Sequence, residues 1–241
     1  MDNGSGNTQG THNDYPAAGL MTFGESVLEF YQSLKIPANL PSGIEALFPF
    51  RNRETRNVLE QFFEKFYNDS NPRTLLMGIN PGRFGAGITG VGFTDPIRLD
   101  EQCGIRNPFE KKAELSSKFI YDVIIAYGGP QKFYSDFFIS SVCPIGFMRE
   151  GKNYNYYDDP VLETAVHPFV VDCMKKKLGF GCNSKVAYSV GQGKNVKFLE
   201  KLNQKHGFFD EIKALPHPRW VMQYRLKRKD EFVKVYLESL S

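Results

Sequence analysis

A short apolar run that ends in an amide and a string of glycines constrains this chain most. Thr74-Leu75-Leu76-Met77 reads as a buried strand, and Gly78-Ile79-Asn80-Pro81-Gly82-Arg83-Phe84-Gly85 follows it directly. The glycine-rich character continues through Thr89-Gly90-Val91-Gly92-Phe93. An asparagine side chain carries a donor and an acceptor but no charge. At a strand end, Asn80 can therefore hold a water or a polar substrate atom in a fixed direction. Glycines after it let another molecule approach the backbone closely. Far along the chain, Pro216-His217-Pro218-Arg219-Trp220 forms a second rigid loop with a titratable ring. Together the two loops suggest one site.

The remaining pattern alternates between helical and extended segments. Val27, Leu28, Phe30, Tyr31 and Leu34 share one helical face, as do Leu59, Phe62, Phe63 and Phe66. The stretch Ile36 to Arg51, with three prolines, reads as a connecting loop. A helix is expected from Leu115 to Ile124, ended by Gly128-Gly129, then a strand from Phe137 to Val142. Pro160 to Leu178 reads as a helix capped by Asp158 or Asp159 and kinked or split at Pro168. Strands at Lys185–Val190 and Phe209–Leu215 alternate with helices at Asn195–Lys205 and Asp230–Leu240. Four strands separated by helices imply an α/β fold: a three-layer α/β/α sandwich around a four-stranded, mostly parallel sheet. Asn80 follows the first strand, Ser141 closes the second and His217 follows the last. Ligands of open α/β sheets bind outside the carboxyl ends of strands.

A chain of 241 residues with 41% hydrophobic content can bury one full core, and residues 21–241 are expected to form a single domain. Residues 1–20, rich in Gly, Asn, Thr and Asp, read as a disordered leader. The net charge of +3 signals no strongly basic domain. Its distribution says more, since Arg219, Arg225, Lys227, Arg228 and Lys229 follow the second loop as a local basic stripe. Cys103, Cys143, Cys173 and Cys182 form no C-x-x-C pair and the four histidines are scattered, so no metal site is expected. Isolated thiols, no signal-peptide core and no apolar run of ~18 residues point to the cytoplasm and away from a membrane.

Two motifs tempt and fail. Gly85-Ala86-Gly87-Ile88-Thr89-Gly90 matches the dinucleotide fingerprint by letter, but it lies well past the strand end. The stretch through Pro96 is also expected not to open a helix. No nicotinamide or flavin cofactor is therefore expected. Cys143 with His217 has the composition of a thiol–imidazole pair, but a buried cysteine beside a turn proline is the better reading. His167, His206, Asp158-Asp159 and Tyr156-Tyr157 read as cap, surface or structural residues.

These two loops resemble those of the uracil-DNA glycosylase superfamily. Within it, Pro81-Gly82-Arg83-Phe84-Gly85 through Thr89-Gly90-Val91-Gly92-Phe93, together with His217-Pro218, are most similar to the single-strand-selective monofunctional uracil-DNA glycosylases, in a divergent bacterial branch. The mismatch-specific branch has asparagine in place of the histidine, and the iron–sulfur branches have a cysteine cluster that this chain lacks. The resemblance implies a uracil-DNA glycosylase-like fold, a DNA partner carrying a deaminated base, a monomer, and no cofactor. By position it implies that Asn80 and His217 are catalytic and that Gly78, Ile79, Gly82, Phe93 and Ser141 form the base pocket, Phe93 stacking on the extruded base. Arg219, Trp220, Gln223, Tyr224 and Arg225 fall where the family contacts DNA, the first two in the loop that fills the vacated space in the duplex. Three departures stand out. Ser141 occupies the place of an asparagine that reads the uracil edge, Arg219 interrupts the usual His-Pro-Ser-Pro, and Arg83 replaces a commoner proline. A serine hydroxyl rotates, so Ser141 can accept more than one base edge, and uracil, xanthine and hypoxanthine are all candidate bases.

Each residue alone has an ordinary reading: Asn80 before Pro81 as a turn, His217-Pro218 as a stiff loop, Phe93 as core. Their joint occurrence at strand ends is what points to a monofunctional glycosylase. The alternative is a catalytically silent DNA-binding module of the same fold, and a third is a nucleoside hydrolase indifferent to polymer length.

Overall fold

In the computed structural model, which describes residues 21–241, the apolar runs pair as strands of one sheet. The leader assigned to residues 1–20 lies outside the described residues. In chain order the elements are α1 (Phe23–Ser33), β1 (Glu45–Leu47), α2 (Arg53–Phe66), β2 (Arg73–Gly78), α3 (Ala86–Thr89), α4 (Pro96–Glu101), α5 (Leu115–Tyr127), α6 (Pro130–Asp136) and β3 (Phe137–Ser141). There follow β4 (Gly146–Arg149), β5 (Lys152–Tyr154), α7 (Pro160–Gly179), β6 (Cys182–Val190), α8 (Lys194–His206), β7 (Glu211–Leu215), α9 (Pro218–Tyr224) and α10 (Lys229–Leu240).

The main sheet runs β3-β2-β6-β7, and every pairing in it is parallel. Helices cover both faces, giving the three-layer α/β/α sandwich. Leu75, Leu76 and Met77 of β2 are buried throughout, as a strand covered on both faces demands. At the edge, β7 exposes Glu211 and Lys213. It starts at Glu211 and not at Phe209, because Asn203 clips Phe209 into the core through two 2.8 Å bonds, one to its N–H and one to its carbonyl.

Four further expectations are corrected. First, α7 is not split at Pro168 but runs through it. That residue is exposed, so water can satisfy the carbonyl it frees, while Leu162, Val166, Val170 and Met174 keep one face in the core. Second, a helix does start at Pro96, where the ring sits in the first turn and the Asp95 carboxylate accepts from the Ile97 and Arg98 amides. Third, part of the 36–51 connection forms β1, which joins β4 and β5 in a small antiparallel sheet. Fourth, the segment after His217 is a helix, α9, and not a loop.

The small sheet matters because its β4–β5 hairpin reaches the ends of the parallel strands. Glu150 and Gly151 turn it with φ of 51° and 70°, the left-handed pair that a tight hairpin requires.

Candidate active site

Strand ends of the parallel sheet converge on one cavity of about 320 Å³. The expected residues Gly78, Ile79, Asn80 and Gly82 line it from the end of β2. Phe93, Ser141 and His217 complete it from the following loop, the end of β3 and the segment after β7. A volume at the lower end of small-ligand sites is suited to one base, not a dinucleotide.

Asn80 is oriented from both ends of its amide. Its Nδ2 donates to the Tyr154 carbonyl at 3.2 Å, and its Oδ1 accepts the Tyr156 amide at 3.1 Å. This pairing of unlike groups fixes which end is oxygen. One lone pair on Oδ1 and one hydrogen on Nδ2 remain without a partner among the described residues. Behind it, the fully buried Tyr156 hydroxyl donates to Asn195, whose amide reaches Ser189 and the Met77 carbonyl of β2.

His217 stands at the N-cap of α9, where its Nδ1 accepts the Arg219 amide at 3.1 Å. A nitrogen that accepts carries no proton, so the neutral ring bears its hydrogen on Nε2. Burial, then the nearby Arg219 charge, pushes this imidazole down to about 4, so it is neutral at physiological pH. Pro216 before it is held by the Tyr236 hydroxyl at 2.5 Å.

Phe93 has φ of 48°, a left-handed conformation uncommon for a bulky side chain. The loop around it over-determines this geometry: the buried Thr89 hydroxyl donates to the Thr94 carbonyl at 2.7 Å and accepts the Val91 amide at 3.2 Å. The ring lies so close to β2 that a Cβ on Gly78 would meet it at 3.0 Å. Gly78→Ala is therefore expected to displace the ring and slow the reaction carried by this cavity about tenfold, with a smaller effect on the melting temperature. Single-turnover assays beside thermal melts check this, and an unchanged rate would remove Phe93 from the site.

Ser141 is fixed by a buried cation. Lys177 of α7 is fully buried, has no carboxylate partner among the described residues, and donates from Nζ to the Ser141 carbonyl at 2.6 Å. Burial lowers its pKa, partly offset by the neighbouring thiols of Cys173, Cys182 and Cys143. Cys143 itself is sealed in the core and its thiol is pushed up by burial, which makes it inert and leaves no thiol–imidazole pair with His217.

Of the five residues expected to touch DNA, only Arg219 lines the cavity. Trp220, Gln223, Tyr224 and Arg225 lie exposed on and just after α9. The Trp220 ring stands edge-on to Phe232, with the Arg225 guanidinium 5.0 Å from its centre. The basic stripe is partly neutralised, since Lys229 pairs with Asp122 of α5 at 2.7 Å and Arg228 pairs with Glu231.

Sequence reasoning missed Phe84, Glu114, Asn153 and Asn155, which also line the cavity. A hairpin signal was present in Arg149-Glu150-Gly151-Lys152, but nothing local says that its far arm folds over Asn80.

Residues 64–241 match the family model of the uracil DNA glycosylase superfamily. The crystal structure of wild-type Pedobacter heparinus SMUG2 is similar, with a TM-score of 0.88 and 42% sequence identity over 91% of this chain and 97% of that one. None of the curated proteins matches.

Proposed function

This chain belongs to the uracil DNA glycosylase superfamily and its SMUG family, and from that membership we propose a monofunctional DNA glycosylase that removes uracil, with xanthine and hypoxanthine as further bases, in base excision repair. The observation that carries the reading is the joint lining of one cavity by Asn80, Phe93, Ser141 and His217.

Hydrolysis breaks the bond between the sugar C1′ and the base nitrogen. The electron pair leaves with the base, and a water oxygen bonds to C1′ while its proton passes to the base or to solvent. The enzyme gains most by stabilising charge as it develops. Neutral His217 presents Nε2–H to an oxygen of the departing base. Asn80 has no useful basicity, so it positions water by accepting with its free lone pair. Phe93 gives the extruded base a flat face, and extrusion costs a few kcal/mol that phosphate contacts offset. Ser141 meets the base edge with a hydroxyl that can donate or accept, which supports a range of bases. No lysine lines the cavity among the described residues, which supports hydrolysis without strand cleavage. We place the enzyme on DNA as a monomer in the cytoplasm. Four buried free thiols favour a reducing compartment, and no described helix is long and apolar enough to cross a membrane.

The test is a panel of uracil, xanthine and hypoxanthine, single-stranded and opposite each normal base, read as alkali-labile abasic sites. Release of at least uracil is expected. Tight, salt-sensitive binding with no abasic product from any substrate would leave a silent DNA-binding module instead.

A further inference from the structure

Beside the cavity lies a charge arrangement that the chemistry at the base does not use. Phe84 lines the cavity wall, and two cations crowd onto its ring: Arg83 Cζ at 4.5 Å from the centroid and Lys112 Nζ at 4.3 Å. Both cations therefore stand within about a Debye length (~8 Å at physiological salt) of each other, where water and salt screen their repulsion only in part. Neither has a carboxylate partner among the described residues. Glu114, the acid that lines the cavity, caps α5 through the Ser117 amide at 2.9 Å and makes no ion pair with either cation.

Arg83 is also anchored. Its amide donates to Asn153 Oδ1 at 3.0 Å and its Nη1 donates to the Gly151 carbonyl, so the β4–β5 hairpin fixes the guanidinium. Its Nε and Nη2 hydrogens have no acceptor among the described residues, and Lys112 is exposed with no hydrogen bond on Nζ. Two like charges held together, one in a rigid fork and one on a free stem, with donors unspent, make a site for an anion. A guanidinium fork matches a phosphate in two places, and an ammonium adds a point charge.

We propose that Arg83 and Lys112, steadied on Phe84, form a phosphodiester subsite on the cavity wall that holds a backbone phosphate of the strand whose nucleotide is extruded. This rests on the reading of the cavity as a base site.

The test is binding of the full chain to an oligonucleotide carrying a tetrahydrofuran abasic analogue, followed by anisotropy from 50 to 200 mM KCl. Arg83→Gln and Lys112→Gln are each expected to reduce the slope of log affinity against log salt by about 1, and the double variant by about 2. In a parallel scan, single methylphosphonates along the strand should reveal one position whose neutralisation weakens the wild type severalfold and the double variant not at all. An unchanged slope in the double variant, or a methylphosphonate penalty that persists in it at every position, overturns the subsite. Failure of the enzymatic reading is separable. A wild type with the expected slopes but no base release keeps the subsite and loses the glycosylase, whereas base release with an unmoved slope does the reverse.

Discussion

His217→Ala is expected to slow uracil release about a hundredfold or more, the usual loss when one preorganised donor to a developing oxyanion is removed. The donor is preorganised because the Arg219 amide occupies Nδ1 at 3.1 Å and leaves the hydrogen on Nε2. Alanine also removes the N-cap of α9, at about 1 kcal/mol, so some loss of stability accompanies it. His217→Asp separates the two effects. Aspartate is a strong N-cap and restores the stability, but it sets a carboxylate against a leaving anion, so the rate should fall at least as far as with alanine. Recovery of activity in His217→Asp would show that His217 serves the helix and not the reaction.

The pH dependence has a definite sign. With its folded pKa pushed down to about 4, His217 is neutral throughout the physiological range, and kcat/KM is expected to show no inflection near 6.5. The unfolded chain binds a proton on this histidine below about 6.5, where the folded chain does not. Its contribution to stability is thus present above pH 6.5 and is lost as pH falls toward 4. Acid melts of wild type against His217→Asn check this, the variant being expected to lose less stability across that window. An inflection between pH 6 and 7 that disappears in His217→Ala would contradict the buried, neutral ring.

Asn80→Ala is expected to slow release about a hundredfold or more, the scale of loss when a reacting group is no longer held in place. The variant also frees the Tyr154 carbonyl and the Tyr156 amide, each bond worth about 1 kcal/mol net, so the melting temperature should fall. Affinity for abasic DNA is expected to change little, because Arg83, Lys112 and the exposed face of α9 are left in place. Single-turnover rates beside anisotropy measure both effects, and near-wild-type turnover would remove Asn80 from the reaction. Asn80→Asp is the sharper partner variant. It keeps an acceptor for Tyr156 but opposes oxygen to oxygen at Tyr154, so it should be at least as slow as alanine.

Sequence gave up those parts of the site that are written locally. A buried strand running into Gly78-Ile79-Asn80-Pro81-Gly82, and a His217-Pro218 pair after the last strand, are legible because period, turn chemistry and strand ends are local properties. What positions them is not local. Asn80 takes its orientation from residues 74 and 76 positions away, at the end of a hairpin whose strands of four and three residues are too short to show periodicity. In the sequence the basic stripe looks like one patch, because nothing near Lys229 reveals Asp122 across the helix packing. Lys177 is the extreme case. Composition places lysine at the surface, yet this one lies beneath the cavity wall with its ammonium on the Ser141 carbonyl. The segment after Phe93 differs in kind: Pro96 looks like a helix breaker, yet behind an aspartate cap it serves as a first residue.

The most direct measurement is the structure of the full chain bound to an oligonucleotide containing 2′-deoxy-2′-fluorouridine, whose fluorine disfavours the oxocarbenium-like sugar and keeps the base attached. The expected result is a uracil turned out of the strand into the cavity, flat against Phe93, with an oxygen within hydrogen-bond distance of His217 Nε2. A base left outside the cavity, or a His217 ring turned with Nε2 away from it, would contradict the account.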